Sequence, residues 1–122
     1  MSKLLVTHIN PDADAITSVW LFRRFHPDFY DASVVFVLPG RTYKEEPADS
    51  DPNVVHVDTG LGEFDHHQSN ERTCAAKKVL DHLQVKFDYL HNNEPLERLV
   101  EVVVQGDHFE DCYWPEASAD RY

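Results

Sequence analysis

Apolar residues fall into short runs divided by polar stretches, and the runs differ in kind. Leu4-Leu5-Val6 is brief and continuous, the pattern of a buried parallel strand. A polar stretch from Thr7 to Asp14 follows, with Pro11 placed where a helix can begin. Ala13 to Phe25 predicts a helix carrying Ile16, Val19 and Trp20 on one stripe. Ser33 to Leu38, with Val34-Val35-Phe36-Val37 at its centre, predicts a second strand, since β-branched and aromatic residues suit a pleated surface. Pro39 to Pro52 is polar and acidic and reads as loop. Val54 to Val57 predicts a third strand, stopped by Asp58-Thr59-Gly60. After a loop to about Thr73, the spacing of Ala76, Val79, Leu80 and Leu83 predicts a second helix. Val85 to Leu90 alternates through Val85, Phe87 and Tyr89, as a short fourth strand would. Leu96, Leu99, Val100, Val103 and Val104 repeat at helical spacing, against the strand preference of the β-branched run Val102 to Val104.

Strands alternating with helices predict an α/β domain with a mostly parallel sheet, and the expected architecture is three-layered, α/β/α. The 122 residues suffice for one domain spanning 1–122, and no repeat or linker offers a second a place to start. Eleven basic residues against 22 acidic ones leave a net charge of -11. Long nucleic acid is therefore not an expected partner, because a sequence-independent grip on phosphates needs Lys and Arg. Enzymes acting on phosphates stay open, since bound divalent cations offset carboxylates. No apolar run approaches the roughly 20 residues of a membrane helix. The opening MSKLLVTHINPD has too short an apolar core for a secretory signal, so a cytoplasmic location is expected. Cys74 and Cys112 show no CxxC pairing, which fits reduced structural thiols.

Sites in parallel sheets lie at the carboxyl ends of strands, and the chemically unusual residues fall there. His8, Asp12 and Asp14 follow the first strand, and Asp58 ends the third. Asp65-His66-His67 stands in the loop after it, and Asp107, with His108 and Asp111 nearby, follows the last helical stripe. Carboxylates with a few imidazoles and no thiolate suit Mn²⁺ or Mg²⁺ better than structural zinc. Converging carboxylates repel one another unless cations stand among them. Two ions about 3.5–4 Å apart are a standard device for clamping a phosphoryl group and activating water. Taken singly, each residue has a plainer role: Asp12 can simply cap the helix beginning near Ala13, and a lone His8 is more often something other than a ligand. The joint pattern carries the metal reading. His26, His56, His82 and His91 are expected to be surface or half-buried histidines without a role in it.

HINPDADA, then VVHVDTG, then FDHHQSN resembles the DHH phosphoesterase family, named for the triplet found here at Asp65-His66-His67. The likeness runs from Leu4 to about Asp107. That family includes single-strand exonucleases, family II inorganic pyrophosphatases, and phosphodiesterases of short oligonucleotides and cyclic dinucleotides. The resemblance implies a DHH-type catalytic domain with two ions, Mn²⁺ or Mg²⁺. His8 and Asp12 would bind one ion and Asp14 the other, with Asp58 bridging. His66 would complete the shell of the second ion with Asp107, chosen over Asp111. His67 would face the substrate phosphate as charge stabiliser or proton donor, and Asp65 would hold a histidine in its tautomer. Arg72, Lys77 and Lys78 stand near the following helix, where Arg72 could meet substrate oxygens; ordinary solvated charge is the plainer reading, favoured for the two lysines.

The sequence departs from the family in carrying no glycine-rich basic segment after Asp107, where full members usually add a substrate-gripping domain. The leading expectation is a metal-dependent hydrolase that cleaves a phosphodiester or phosphoanhydride in a small phosphorylated substrate or short nucleotide, by attack of metal-bound hydroxide. The alternative is a non-catalytic or partner-dependent metal-binding domain. A homodimer is a further expectation, resting on Tyr113, Trp114 and Tyr122 as an apolar contact and on an unpaired sheet edge.

Overall fold

A computed structural model describes residues 2–68 and 71–110. Three strands form its sheet: β1 (Leu4–His8), β2 (Ser33–Val37) and β3 (Val54–His56). All pair in parallel, in the order β2-β1-β3, with Val6 opposite both Val35 and His56. The central strand is the most buried, at Leu5, Val6 and Thr7, as its unbroken apolar run requires. The chain leaves β1 to build β2 on one side and then returns to build β3 on the other. The crevice between the carboxyl ends of β1 and β3 is therefore a topological switch point.

Helix α1 (Ala13–Phe25) starts where Asp12 Oδ1 accepts a hydrogen bond from the Ala15 amide at 3.0 Å, a side-chain N-cap. Its bounds match the sequence reading, but its buried face does not. Ala15, Ser18, Leu21 and Phe22 are buried, whereas Ile16 and Trp20 of the expected stripe are 57% and 42% exposed. Apolar residues nearly encircle this helix, so periodicity alone could not tell which arc meets the core. Helix α2 (Ala75–Lys86) does bury Ala76, Val79, Leu80 and Leu83. Helix α3 (Glu94–Asp107) is capped by Asn93 and buries Leu96, Val100, Val103 and Val104, so packing overrides the strand preference of its valines.

The fourth strand expected over 85–90 does not form. Helix α2 continues through Lys86, and Asp88–Leu90 make a 3-10 turn. Val85 and Tyr89 are exposed while Leu90 is buried, so the alternation marks no buried sheet face. Tyr89 Oη instead donates to the Phe25 carbonyl at 2.6 Å, tying the turn to the end of α1.

Each helix packs against the other two, and Leu5 and Val57 join residues of all three in one core. The helices thus share one side of the sheet. Helices on both faces, as three layers require, are not seen among the described residues, where the α/β class and the parallel sheet stand. On the other face, buried His56 is held by the segment before β3: its Nδ1 donates to the Ala48 carbonyl and its Nε2 accepts from the Tyr43 amide. No helix among the described residues is long and apolar enough to cross a membrane. Cys74 is buried and unpaired, and burial pushes its thiol pKa well up, as an inert structural thiol requires. Cys112, Tyr113, Trp114 and Tyr122 lie outside the described residues.

Candidate metal centre

Two left-handed residues aim the site. Between β1 and α1 the chain turns at Asn10 (φ 53°), and immediately beyond β3 it turns at Asp58 (φ 57°). Asn and Asp are the non-glycine residues that adopt this region most readily. Beyond Asp58 the chain needs a true glycine: Gly60 sits at φ 82°, and a Cβ there would lie 2.9 Å from Thr42 Cγ2. The loop then returns to the sheet, where Phe64 bridges to Val57 and the Asp58 amide donates to the Phe64 carbonyl. This closure carries Asp65-His66-His67 back beside Asp58.

The residues singled out in the sequence converge as two adjoining groups. His8, Asp12 and Asp58 form one, and Asp14, His66 and Asp107 the other, with ligand atoms in each within 4.8 Å of one another. His8 Nε2 lies 3.1 Å from Asp58 Oδ2 and 3.9 Å from Asp12 Oδ1. His66 Nε2 lies 3.1 Å from Asp107 Oδ2, 3.5 Å from Asp14 Oδ2 and 3.7 Å from Asp58 Oδ1. Asp58 therefore touches both groups, one oxygen toward each. These groups are close enough to bind a metal ion. Asp111, the alternative to Asp107, lies outside the described residues.

Two buried atoms at the junction have no hydrogen-bond partner, Asp58 Oδ1 and His66 Nε2. Leaving such atoms unpaired costs about 1–3 kcal/mol each, so a site that collects them calls for a further partner. A cation fits the donor set, because it engages an imidazole lone pair and carboxylate oxygens together. Electrostatics agree. Burial, reinforced by the nearby Asp14 carboxylate, pushes Asp58 up to about 8. Burial and Asp14 also raise Asp107. His8 moves up as well: burial pulls it down, but the Ile9 carbonyl and the Asp58 carboxylate outweigh that.

Around this junction, three carboxylates also organise backbone. Asp12 caps α1, so the cap and the candidate ligand are one residue and the two readings of it coexist. Asp14 is 2% exposed, and its oxygens accept from the Ala75 and Ala76 amides at 3.0 and 2.8 Å. It thereby caps α2, whose own N-cap residue Cys74 makes no side-chain cap bond. Asp65 is 1% exposed and accepts from the Leu61, His66 and His67 amides and from His67 Nδ1, the last at 2.5 Å. Burial would raise its pKa, but these donors lower it overall. Asp65 thus holds the loop and engages His67 Nδ1 without joining either group. His67 is half exposed, and although burial lowers its pKa, Asp65 and then Asp58 raise it overall. His67 also stands with Asp58 and His66 in a third grouping of possible ligand atoms, which overlaps the other two.

Arg72 is not brought to the junction. Its guanidinium is forked onto Glu110 at 2.8 Å through Nε and Nη2 and reaches Glu101 at 2.9 Å, clamping the start of the 71–73 segment to α3. Both acidic partners stand far along the chain. Lys77 pairs with Asp81 one helical turn away, as solvated charge does. Lys78 departs from that expectation: its ammonium donates to the Asp65 carbonyl at 2.8 Å, bracing the loop. His108, named in the sequence only as a neighbour of Asp107, donates from Nε2 to the Thr73 carbonyl at 2.8 Å and ties the end of α3 to the entry of α2. Its adjacency to Asp107 was the available signal.

No family model, no curated protein and no solved structure matches this chain.

Proposed function

We propose that the chain is a metal-dependent phosphoesterase of the DHH type, acting on a phosphodiester or phosphoanhydride bond in a small phosphorylated or nucleotide substrate with two Mn²⁺ or Mg²⁺ ions. The observation that carries this reading is the buried junction at Asp58, which faces His8 and Asp12 with one oxygen and His66 with the other, unpartnered one. His8, Asp12 and Asp58 would hold one ion, and Asp14, His66, Asp107 and Asp58 the second. Bound divalent ions supply positive charge to phosphoryl oxygens and make water a stronger acid. The protein's own part is positional. Asp65 occupies His67 Nδ1, so Nε2 is the nitrogen left to donate a proton to a leaving oxygen. The placement at the carboxyl ends of β1 and β3 is where parallel sheets present ligand sites. The net charge of -11 favours a small substrate over long nucleic acid.

A second reading, a metal-binding domain that depends on a partner for turnover, is favoured by one observation. Arg72, the cation expected to meet substrate, is held by Glu101 and Glu110. Hydrolysis of a generic phosphodiester or of pyrophosphate by the isolated chain with Mn²⁺ separates the two. Metal-dependent hydrolysis of either substrate that is lost in Asp58→Asn supports the enzyme. Tight Mn²⁺ binding without turnover supports the partner-dependent domain, and failure to bind Mn²⁺ removes both.

A further inference from the structure

A cavity of about 380 Å³ opens beside the carboxylate groups, lined by Asp12, Asp14 and Asp107 together with Ala13, Val102, Val103, Gly106 and Phe109. Its volume is in the range of small-molecule sites. Among the described residues, the polar side chains of that lining are the three candidate ligands, and the remainder is hydrocarbon or bare backbone. Two features mark this wall. Gly106 lies in the last turn of α3, where a Cβ would meet no atom within 4 Å, and Phe109 sits at φ 60°, a left-handed conformation costly for a bulky residue. A second cavity, of about 430 Å³, is lined by Tyr43, Pro47, Val54 and His56 and shares no residue with the carboxylate groups; both His56 nitrogens are already satisfied by backbone.

We infer that the cavity beside α3 receives the organic group of the substrate, and that this group is small and apolar, so that the preferred ligand is an aryl or branched-alkyl phosphate ester. This rests on the proposed metal site, which would take the phosphate. A nucleobase fits the lining poorly, because among the described residues Val102, Val103 and Phe109 offer its polar edge no donor or acceptor side chain. A phenyl ring asks for no such partner and gains from burial against the same wall.

Calorimetry on the full chain loaded with Mn²⁺ tests this without relying on turnover. The probes are inorganic phosphate, phenyl phosphate and adenosine monophosphate. Phenyl phosphate is expected to bind about tenfold or more tighter than inorganic phosphate, the increment of burying one ring, and tighter than the nucleotide. Gly106→Leu, a change that favours helix and projects into open space, should erase that advantage and leave phosphate affinity unchanged. Val102→Asp should erase it as well by charging the wall. Equal affinity for phosphate and phenyl phosphate, tighter binding of the nucleotide, or an advantage that survives Gly106→Leu would overturn the inference while leaving the metal reading intact. Absence of Mn²⁺ binding would overturn both.

Discussion

Asp58 combines burial, a left-handed backbone and an unpartnered oxygen, and each is unfavourable for the fold alone. Residues kept at such a cost are the ones where function and stability oppose each other. Asp58→Asn removes the charge that faces Asp14 and retains the shape. In metal-free protein it should stabilise the fold by about 1–3 kcal/mol, the scale of one unsatisfied buried group. The sign with pH follows from the raised folded pKa of about 8. Between its ordinary value and 8 the folded state holds more protons, so wild-type stability falls as pH rises through that window. The gain from Asp58→Asn should therefore be largest at and above pH 8 and fade toward pH 5, read by denaturant unfolding in the presence of a chelator. The same variant should lose affinity for both ions. A variant less stable than wild type at pH 8 and still binding two ions would contradict the role assigned to this residue.

His26 gives the opposite sign away from the site. It packs among Phe22, Phe29 and Phe87, and its Nδ1 accepts from the Asp28 amide at 3.2 Å. Burial, with Lys86 nearby, lowers its pKa, so the unfolded chain takes up the proton first as pH falls below about 6.5. Its contribution to stability is present at neutral pH and is lost on acidification. The stability gap between wild type and His26→Phe should narrow from pH 7 to pH 5; a constant gap would show that the ring is not held neutral.

At the scale of elements, the site is coupled to helix α2 through Asp14. Asp14→Ala should cost about 0.5–2 kcal/mol, as loss of an N-cap does, and should speed amide exchange in the first turn of α2 specifically. Exchange rates at Ala75 and Ala76 unchanged by the substitution would show that the cap is not what orders this turn. Nothing local in the sequence could have revealed it, because the capped amides stand about sixty positions away and Cys74 offers no capping signal of its own. The three helices and three strands were legible, since helical spacing and short continuous apolar runs are written in neighbouring residues. What misled was pattern without context. Val85, Phe87 and Tyr89 alternate by accident of a helix end followed by a 3-10 turn, and Ile16 and Trp20 belong to a helix apolar on nearly every side. That His8, Asp12, Asp14, Asp58, His66 and Asp107 would lie close together was legible, because each falls in a polar cluster just past an apolar run. The pairing of Arg72 with Glu101 and Glu110 was not, because side-chain partners distant in sequence leave no local trace.

For the molecule as a whole, the groups gathered at the β1 and β3 ends come from five separate stretches, and only the folded chain unites them. An ion bound there stabilises the folded state by RT ln(1 + [L]/Kd), about 2.7 kcal/mol at a hundredfold excess over Kd. Adding EDTA to Mn²⁺-loaded protein should lower the melting temperature by several degrees, and no shift would argue against specific binding. The paired site is tested most directly by anomalous diffraction from a crystal soaked in Mn²⁺, recorded above and below the manganese edge. Two anomalous peaks are predicted, one beside His8 and Asp12 and one beside Asp14, His66 and Asp107, with Asp58 in contact with both. A single peak that does not touch Asp58, or none at full Mn²⁺ loading, would contradict it.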